Sequence, residues 1–369
     1  MADLYQRSIE IILQNQAPSG AYIACPNMPD YAYCWFRDGA FIAHAMDLVG
    51  EHESARRFFQ WGAGVVNSRA AVVERALQKA ARGEALQDGD FLHTRYTLQG
   101  EEGGDDGWPN FQLDGLGTWL WAMGEHLQVT GQGAAPAEWC DAARLAARYL
   151  AGLWRLPNYD LWEEFGDRVH PYTLAAIYGG LRAHEKISGE ASFAPVAARI
   201  QEFVLNEAVC DGVFVKYLDS GLAEARRLAF ASKMVDASLL GLAVPYGLAP
   251  PQDKRVQATA ARIEADLRHN GGGVHRYAED TYYGGGEWLL LAAWLGWYYC
   301  SLGHKARARA LLAWVTAQAD EHGNLPEQTV DCLIAPEYYE RWLQTRGPVA
   351  KPLLWSHAMW LVLERAIGD

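Results

Sequence analysis

Long hydrophobic runs are missing from this 369-residue sequence. Its richest apolar stretch, Trp288 to Cys300, makes one short helix and falls well under the roughly 20 residues that cross a bilayer. The opening MADLYQRSIEIILQNQ has no basic segment followed by an apolar core and a small-residue cleavage site, so no signal peptide is expected. Cysteine is sparse. The six residues at 25, 34, 140, 210, 300 and 332 form no CxxC pair, which speaks against a metal knuckle, and a disulfide scaffold is unnecessary at this size. Reduced, mostly buried thiols in a cytoplasmic protein are the expectation. Positive charge is in deficit: 32 Lys and Arg face 45 Asp and Glu, a net charge of −13 with no basic block. A phosphate backbone needs more than that, so neither nucleic acid nor an anionic membrane surface is an expected partner. GxGxxG, a Walker lysine, HExxH and GxSxG are all absent, which speaks against dinucleotide, nucleotide-phosphate, zinc-hydrolase and serine-esterase chemistry. No metal and no organic cofactor is called for.

What is present is apolar and aromatic: 50% hydrophobic residues and 12% aromatic ones, with only 21% charged. That composition excludes intrinsic disorder, and the length allows a large core. The dominant period is helical. A stripe of Leu4, Ile9, Ile12 and Leu13 opens the chain, and Arg37 to Val49 follows. Further helical patterns cover 51–79, with a break near Asn67-Ser68, then 112–129, 136–152, 170–187, 191–207, 234–242, 251–266, 284–300, 303–319 and 353–365. The β-like piece Gly212 to Tyr217 is isolated and reads as a loop hairpin. Long Gly-, Pro- and aromatic-rich links (Pro18 to Phe36, Gln87 to Phe111, Leu156 to His170, Leu267 to Gly286, Gly323 to Pro352) alternate with brief ones such as Gly50 and Ser188-Gly189. Twelve helices with alternating links predict an all-α toroid of six helical hairpins, with the long, functional loops at one end. No Ser/Gly linker interrupts it, so one domain spanning 1–369 is expected. An open helical-repeat scaffold for protein binding competes, but no repeated unit is found.

Five clusters carry polar groups among aromatics. Tyr33-Cys34-Trp35-Phe36-Arg37-Asp38 opens a helix whose N-terminus favours Asp38; it serves equally as a salt-bridged helix start or as polar recognition beside an aromatic wall. Gly107-Trp108-Pro109-Asn110-Phe111-Gln112-Leu113-Asp114 follows Asp105-Asp106 and places an acid near a first turn; a buried Asp there needs a partner. Asn158 to Phe165 sets Glu163 and Glu164 between Trp162 and Phe165, surroundings that raise a carboxyl pKa and suit a general acid, although an exposed loop carries such a pair for solubility alone. Gly273 to Trp288 combines His275, Arg276, Glu279 and Asp280 with three tyrosines. Gly323-Asn324-Leu325-Pro326-Glu327-Gln328 brings another glutamate after a proline, which also fits a helix start. Sugars ask for this mixture, since hydroxyls want directional partners and ring C–H faces pack on aromatics. His44, His93, His170, His275 and His357 lack metal-ligand spacing and read as packing or hydrogen-bonding residues.

The segments Trp35-Phe36-Arg37-Asp38, Asp160-Leu161-Trp162-Glu163-Glu164, Arg276-Tyr277 with Glu279 to Tyr283, Leu325-Pro326-Glu327-Gln328 and Leu354-Trp355-Ser356-His357-Ala358 resemble glycoside hydrolase family 15. That family holds glucoamylases, glucodextranases, isomaltose glucohydrolases and some microbial trehalases. The resemblance runs in family order from residue 35 to 358 and implies an (α/α)6 barrel and an inverting, exo-acting α-glucoside hydrolase. By motif it implies Glu163 as general acid and Glu327 as general base. Arg37, Asp38 and Arg276 would bind the terminal glucose. Trp35 and Trp162 would wall the pocket, Trp108 and Asp114 would line it, and Glu164 would stand behind the acid or at the acceptor site. The chain departs from many family members in showing neither an N-terminal β-sandwich nor a starch-binding module, which argues against raw-starch activity.

The implied reaction is a single displacement releasing β-glucose, with the two carboxyls about 6.5–9.5 Å apart to admit a water. Small α-glucosides are the expected substrates, isomaltose and short isomalto-oligosaccharides ahead of maltose-type ones. An α,α-trehalase of the same family is the rival reading. A non-catalytic sugar-binding or helical scaffold protein is the reading from another class. Neither the linkage nor the oligomeric state follows from the sequence.

Overall fold

The computed structural model describes residues 4–104, 107–131, 133–219, 235–269 and 271–368. Its α-helices are α1 (Leu4–Gln14), α2 (Phe36–Leu48), α3 (His52–Asn67), α4 (Ala70–Ala81), α5 (Asp114–Thr130), α6 (Ala137–Leu153), α7 (Pro171–Ser188), α8 (Ala194–Glu207), α9 (Lys254–Leu267), α10 (Leu289–Ser301), α11 (Lys305–Ala317), α12 (Tyr339–Arg346) and α13 (Leu354–Gly368). A 3-10 segment covers Ala237–Leu242.

Burial sorts these elements into two layers. α8 buries the stripe Ala197, Ile200 and Val204, and α11 buries Ala308, Leu311 and Val315, each a single face at helical spacing. By contrast α2 is buried without a break from Phe36 to Asp47, α10 from Leu289 to Gly296, and α13 from Leu354 to Leu363. Helices apolar all round belong inside a second layer. The inner elements contact one another in the order α2, α5, α7, the Ala237–Leu242 segment, α10, α13, and α13 returns to α2. The ring is therefore closed. Outside it, α3, α6, α8, α9, α11 and α1 each pack on an inner neighbour. Inner and outer elements alternate along the chain, giving six pairs. Among the described residues the structure is predominantly helical without a closed sheet, in keeping with the all-α six-hairpin toroid.

The tightest inner contact is between α5 and α7. A Cβ on Gly117 would sit 2.5 Å from the Ala176 carbonyl, and one on Gly180 would sit 2.6 Å from the Gly117 oxygen. Only glycine lets these backbones approach so closely.

Every inner element is reached from an outer one through a long link, so the long loops gather over the N-terminal ends of the inner helices. Short antiparallel pairs tie the loops together: Cys34–Trp35 with Arg95–Tyr96, Arg168–Val169 with Leu218–Asp219, and Val209–Cys210 with Val213–Phe214. The last is the hairpin expected around Gly212. The 51–79 pattern is two helices, broken at Ser68-Arg69 where the chain turns. The 284–300 helix begins only at Leu289, because Tyr283, Gly284 and Gly285 all adopt positive φ. The 234–242 helix is a 3-10 turn. α12, inside what reads as the loop from Gly323 to Pro352, carries no apolar stripe to announce it. Asp105 and Asp106 lie outside the described residues.

The α5–α7 contact predicts that Gly117→Ala lowers stability by about 1–3 kcal/mol through overpacking. Gly64→Ala, on the open face of α3, raises it by about 0.4–1 kcal/mol. Denaturant midpoints check both signs, and a neutral Gly117→Ala would contradict the close approach.

Candidate active site

A pocket of about 300 Å³ opens among the long loops and is lined by both Glu163 and Glu327, together with Arg37, Asp38 and Arg276. Its aromatic walls include Trp35, Trp108, Trp162 and Trp288.

Glu163 rides on a loop with forced geometry. Its φ is 67°, in the left-handed region that an L-residue adopts only when its surroundings compel it. The compulsion comes from Asp160, whose Oδ1 accepts the backbone N–H groups of Trp162 and Glu164, each at 2.9 Å. The side chain is then fixed through one oxygen. The Trp35 indole N–H donates to Oε1 at 2.6 Å, Gln112 Nε2 donates to it at 3.2 Å, and the Arg37 guanidinium stands 3.9 Å away.

Glu327 is held by a different set of contacts. Its backbone N–H donates to the Ala350 carbonyl at 2.9 Å, and the preceding Leu325 N–H donates to His357 Nε2 at 3.0 Å. Because Nε2 accepts there, Nδ1 carries the proton and donates to Ser8 Oγ at 2.9 Å. Burial pushes His357 down to about 3, so it stays neutral. Ser356 Oγ ties the Pro326 carbonyl at 2.8 Å. At the side chain, Tyr31 donates to Glu327 Oε1 at 3.0 Å, so Tyr282, 2.9 Å from the same hydroxyl, must donate to Tyr31. Oε2 has no partner among the described residues. Burial pushes the Glu327 carboxyl up to about 8, against the opposing influence of Tyr31 and Arg276 and with help from Asp38 and Asp280.

Both arginines come with their counter-charges. Arg37, in the first turn of α2, lies 3.1 Å from Asp114 Oδ2 and 3.5 Å from Asp38, and Gln112 accepts its NH1 at 2.9 Å. Arg276 Nε donates to Asp280 at 2.7 Å, and its NH2 reaches Glu164 at 3.5 Å. Its guanidinium also lies over the rings of Trp162, Trp288 and Tyr282, between 5.1 and 5.3 Å from their centroids. Asp38 is pushed up to about 7, by burial first, with Arg37 opposing and Glu163 and Asp114 adding. Glu164 is raised as well, chiefly by burial against the pull of Arg276.

The pocket thus brings together Trp35, Arg37, Asp38, Trp108, Trp162, Glu163, Glu164, Arg276 and Glu327. Asp114 is the correction. It is fully buried and does not line the pocket; its carboxylate is spent on Arg37 from behind. Trp35 is more than a wall, since its indole N–H is a partner of Glu163. Sequence reasoning assigned no role to Tyr31, Gln112, Tyr282, Trp288, Trp342, Arg346 or Trp355. Four of these stood inside the singled-out segments, whereas Tyr31, Trp342 and Arg346 reach the pocket only through tertiary closure.

Two glutamates sharing one tryptophan-walled pocket, at the loop end of a closed helical ring, are the equipment of a glycoside hydrolase. A family model described as "Glycosyl hydrolases family 15" matches residues 1–347. The isomaltose glucohydrolase of Kribbella flavida is 39% identical over 373 residues, covering 99% of this chain and 93% of that protein. Trehalase 1 of Sulfolobus acidocaldarius is 26% identical, covering 84% of this chain and 56% of that one. A glycosidase variant solved in complex with glucose has a TM-score of 0.91 at 39% identity, with 99% of this chain and 96% of that chain covered. The chain belongs to glycoside hydrolase family 15. It is an exo-acting α-glucoside hydrolase of that family's type, resembling isomaltose glucohydrolase. Among the described residues no helix is long and apolar enough to cross a membrane.

The raised Glu327 value has a consequence for stability. In the unfolded chain a glutamate titrates at about 4.3. The folded protein therefore loses stability as pH rises from there through about 8, because the buried carboxyl must ionise. Glu327→Gln removes that loss. Its stability relative to the parent should improve steadily between pH 5 and pH 8 in urea unfolding, and a pH-independent difference would contradict the raised value.

Proposed function

We propose that this enzyme is an inverting exo-α-glucosidase acting first on isomaltose and short isomalto-oligosaccharides, with Glu163 as general acid and Glu327 as general base. The observation that carries the reading is the difference between the two carboxyls within one pocket. The Glu163 contacts all go to Oε1 and leave Oε2 for the glycosidic oxygen. On Glu327 the Tyr31 hydroxyl, itself held by Tyr282, donates to Oε1 and leaves Oε2 for a water. A water donating to Oε2 favours the ionised form, opposing the burial that raises this carboxyl.

In the proposed step Glu163 gives its proton to the glycosidic oxygen as the C1–O bond breaks. Glu327 takes a proton from the water whose oxygen attacks C1 from the opposite face. Arg37, Asp38 and Arg276 hold the hydroxyls of the terminal glucose, the ring attacked at C1, and the tryptophans pack on its C–H faces. On the acceptor side, Trp108, Trp342 and Arg346 line the same pocket, and Arg346 pairs with Asp30. Such a bounded rim supports a short substrate. The preference for isomaltose over trehalose rests on the greater likeness to the isomaltose glucohydrolase, in both identity and length covered. Six cysteines, none in a disulfide, support a reducing, cytoplasmic setting.

Variants separate the two glutamates. Fluoride leaves α-glucosyl fluoride as an anion and needs no proton from the acid. Glu163→Ala should therefore lose about a thousandfold in isomaltose turnover while retaining most of its turnover of the fluoride. Glu327→Ala should lose both. Sparing of the fluoride by the Glu327 variant instead would exchange the roles.

Substrate preference is tested by comparing kcat/KM on isomaltose, panose, dextran, maltose, starch and trehalose. Isomaltose should lead. A preference for trehalose or starch would overturn the substrate assignment while leaving the acid and base in place.

A further inference from the structure

One buried cation stands behind the acid loop without lining the pocket. Lys216, just past the Val209–Phe214 hairpin, is 3% exposed. Its ammonium lies 2.7 Å from Asp236 Oδ2, 3.7 Å from Asp160 Oδ2, and 3.3 Å from the centroid of the Tyr277 ring. Each of these neighbours holds a different part of the acid loop. Asp160 accepts the two backbone N–H groups that set the left-handed turn at Glu163. Asp236 accepts the Trp162 indole N–H at 3.0 and 3.2 Å, and it also caps the 3-10 segment through Ser238 N at 2.9 Å. The Tyr277 hydroxyl donates to Glu164.

We propose that Lys216 is a positioning residue for proton delivery, locking the Trp162-Glu163-Glu164 loop through Asp160, Asp236 and Tyr277. The physical reason is charge balance. Asp160 and Asp236 are both nearly inaccessible, and two buried carboxylates repel unless a cation lies between them. Remove the ammonium and one carboxyl must take up a proton or turn away. Either change alters the acceptors that hold Trp162 and the backbone at Glu163. A shift of that kind misaligns the acid with the glycosidic oxygen. It leaves the glucose contacts of Arg37 and Asp38, and the separate clamp on Glu327, in place. The inference rests on Glu163 being the acid.

The test uses Lys216→Met, which keeps much of the stem and removes the charge, with Lys216→Arg as the conservative partner. For isomaltose, kcat should fall about a hundredfold in Lys216→Met, the loss that a misplacement of around 1 Å produces, while KM stays within about threefold. Turnover of α-glucosyl fluoride should remain within about fivefold of the parent, because its leaving group needs no proton. Lys216→Arg should recover part of the isomaltose loss. Equal loss on both substrates, or no loss on either, would overturn the inference. If Lys216→Met does not fold, Asp236→Asn takes its place with the same expected selectivity, since it keeps shape and removes the charge facing the indole. Glu163→Ala runs alongside. If that variant also loses both substrates alike, the acid assignment itself has failed, and the role of Lys216 falls with it; if it spares the fluoride and Lys216→Met does not, only the positioning role is wrong.

Discussion

Closure of the inner ring, where α13 packs back on α2, is the constraint on which the site depends. Glu163 and Glu327 are far apart in the chain, and neither has a local reason to meet the other. Inner and outer elements alternate, so the inner helices run in one direction and present their N-terminal ends together. The long links then overlie a single end of the ring. Buried acids at that end gain from the helix termini: Asp38 and Asp114 both lie in first turns, where the backbone N–H groups favour negative charge.

The site is built around charges that would be costly to bury singly. Arg37 is matched by Asp114 and Asp38, Arg276 by Asp280 and Glu164, and Lys216 by Asp236 and Asp160. A paired and hydrogen-bonded charge is tolerable in a protein interior, and an unpaired one is not. Within this framework several atoms of pocket-lining residues have no hydrogen-bond partner among the described residues: Oε2 of Glu327, Oδ1 of Asp38 and the indole nitrogens of Trp288 and Trp355. The Glu163 and Glu327 loops are held by different clamps, one through Asp160 and one through His357.

Much of this was legible in the residues, and the exceptions have physical reasons. Outer helices such as α8 and α11 show their period because one face is wet. The inner helix α10 is apolar all round and shows none, so its start was placed too early, across a stretch where positive φ forbids a helix. α12 carries no apolar stripe, and its Trp342 and Arg346 enter the pocket through tertiary packing, which no local pattern encodes. Family motifs located nine of the ten site residues in the pocket. The tenth, Asp114, was misplaced because a spacing cannot distinguish a carboxylate facing the sugar from one facing the arginine that holds it. Lys216 stood in view inside a β-like hexapeptide, but its two acidic partners come from other loops.

In the proposed reaction a water attacks the anomeric carbon from the side opposite the leaving group, in a single step. Proton NMR of the earliest glucose released from isomaltose, recorded before mutarotation, tests this directly. Inversion requires the β anomer to appear first and the α anomer to follow only as the sugar equilibrates. Initial α-glucose would mean a double displacement, and the roles given to Glu163 and Glu327 would then be wrong.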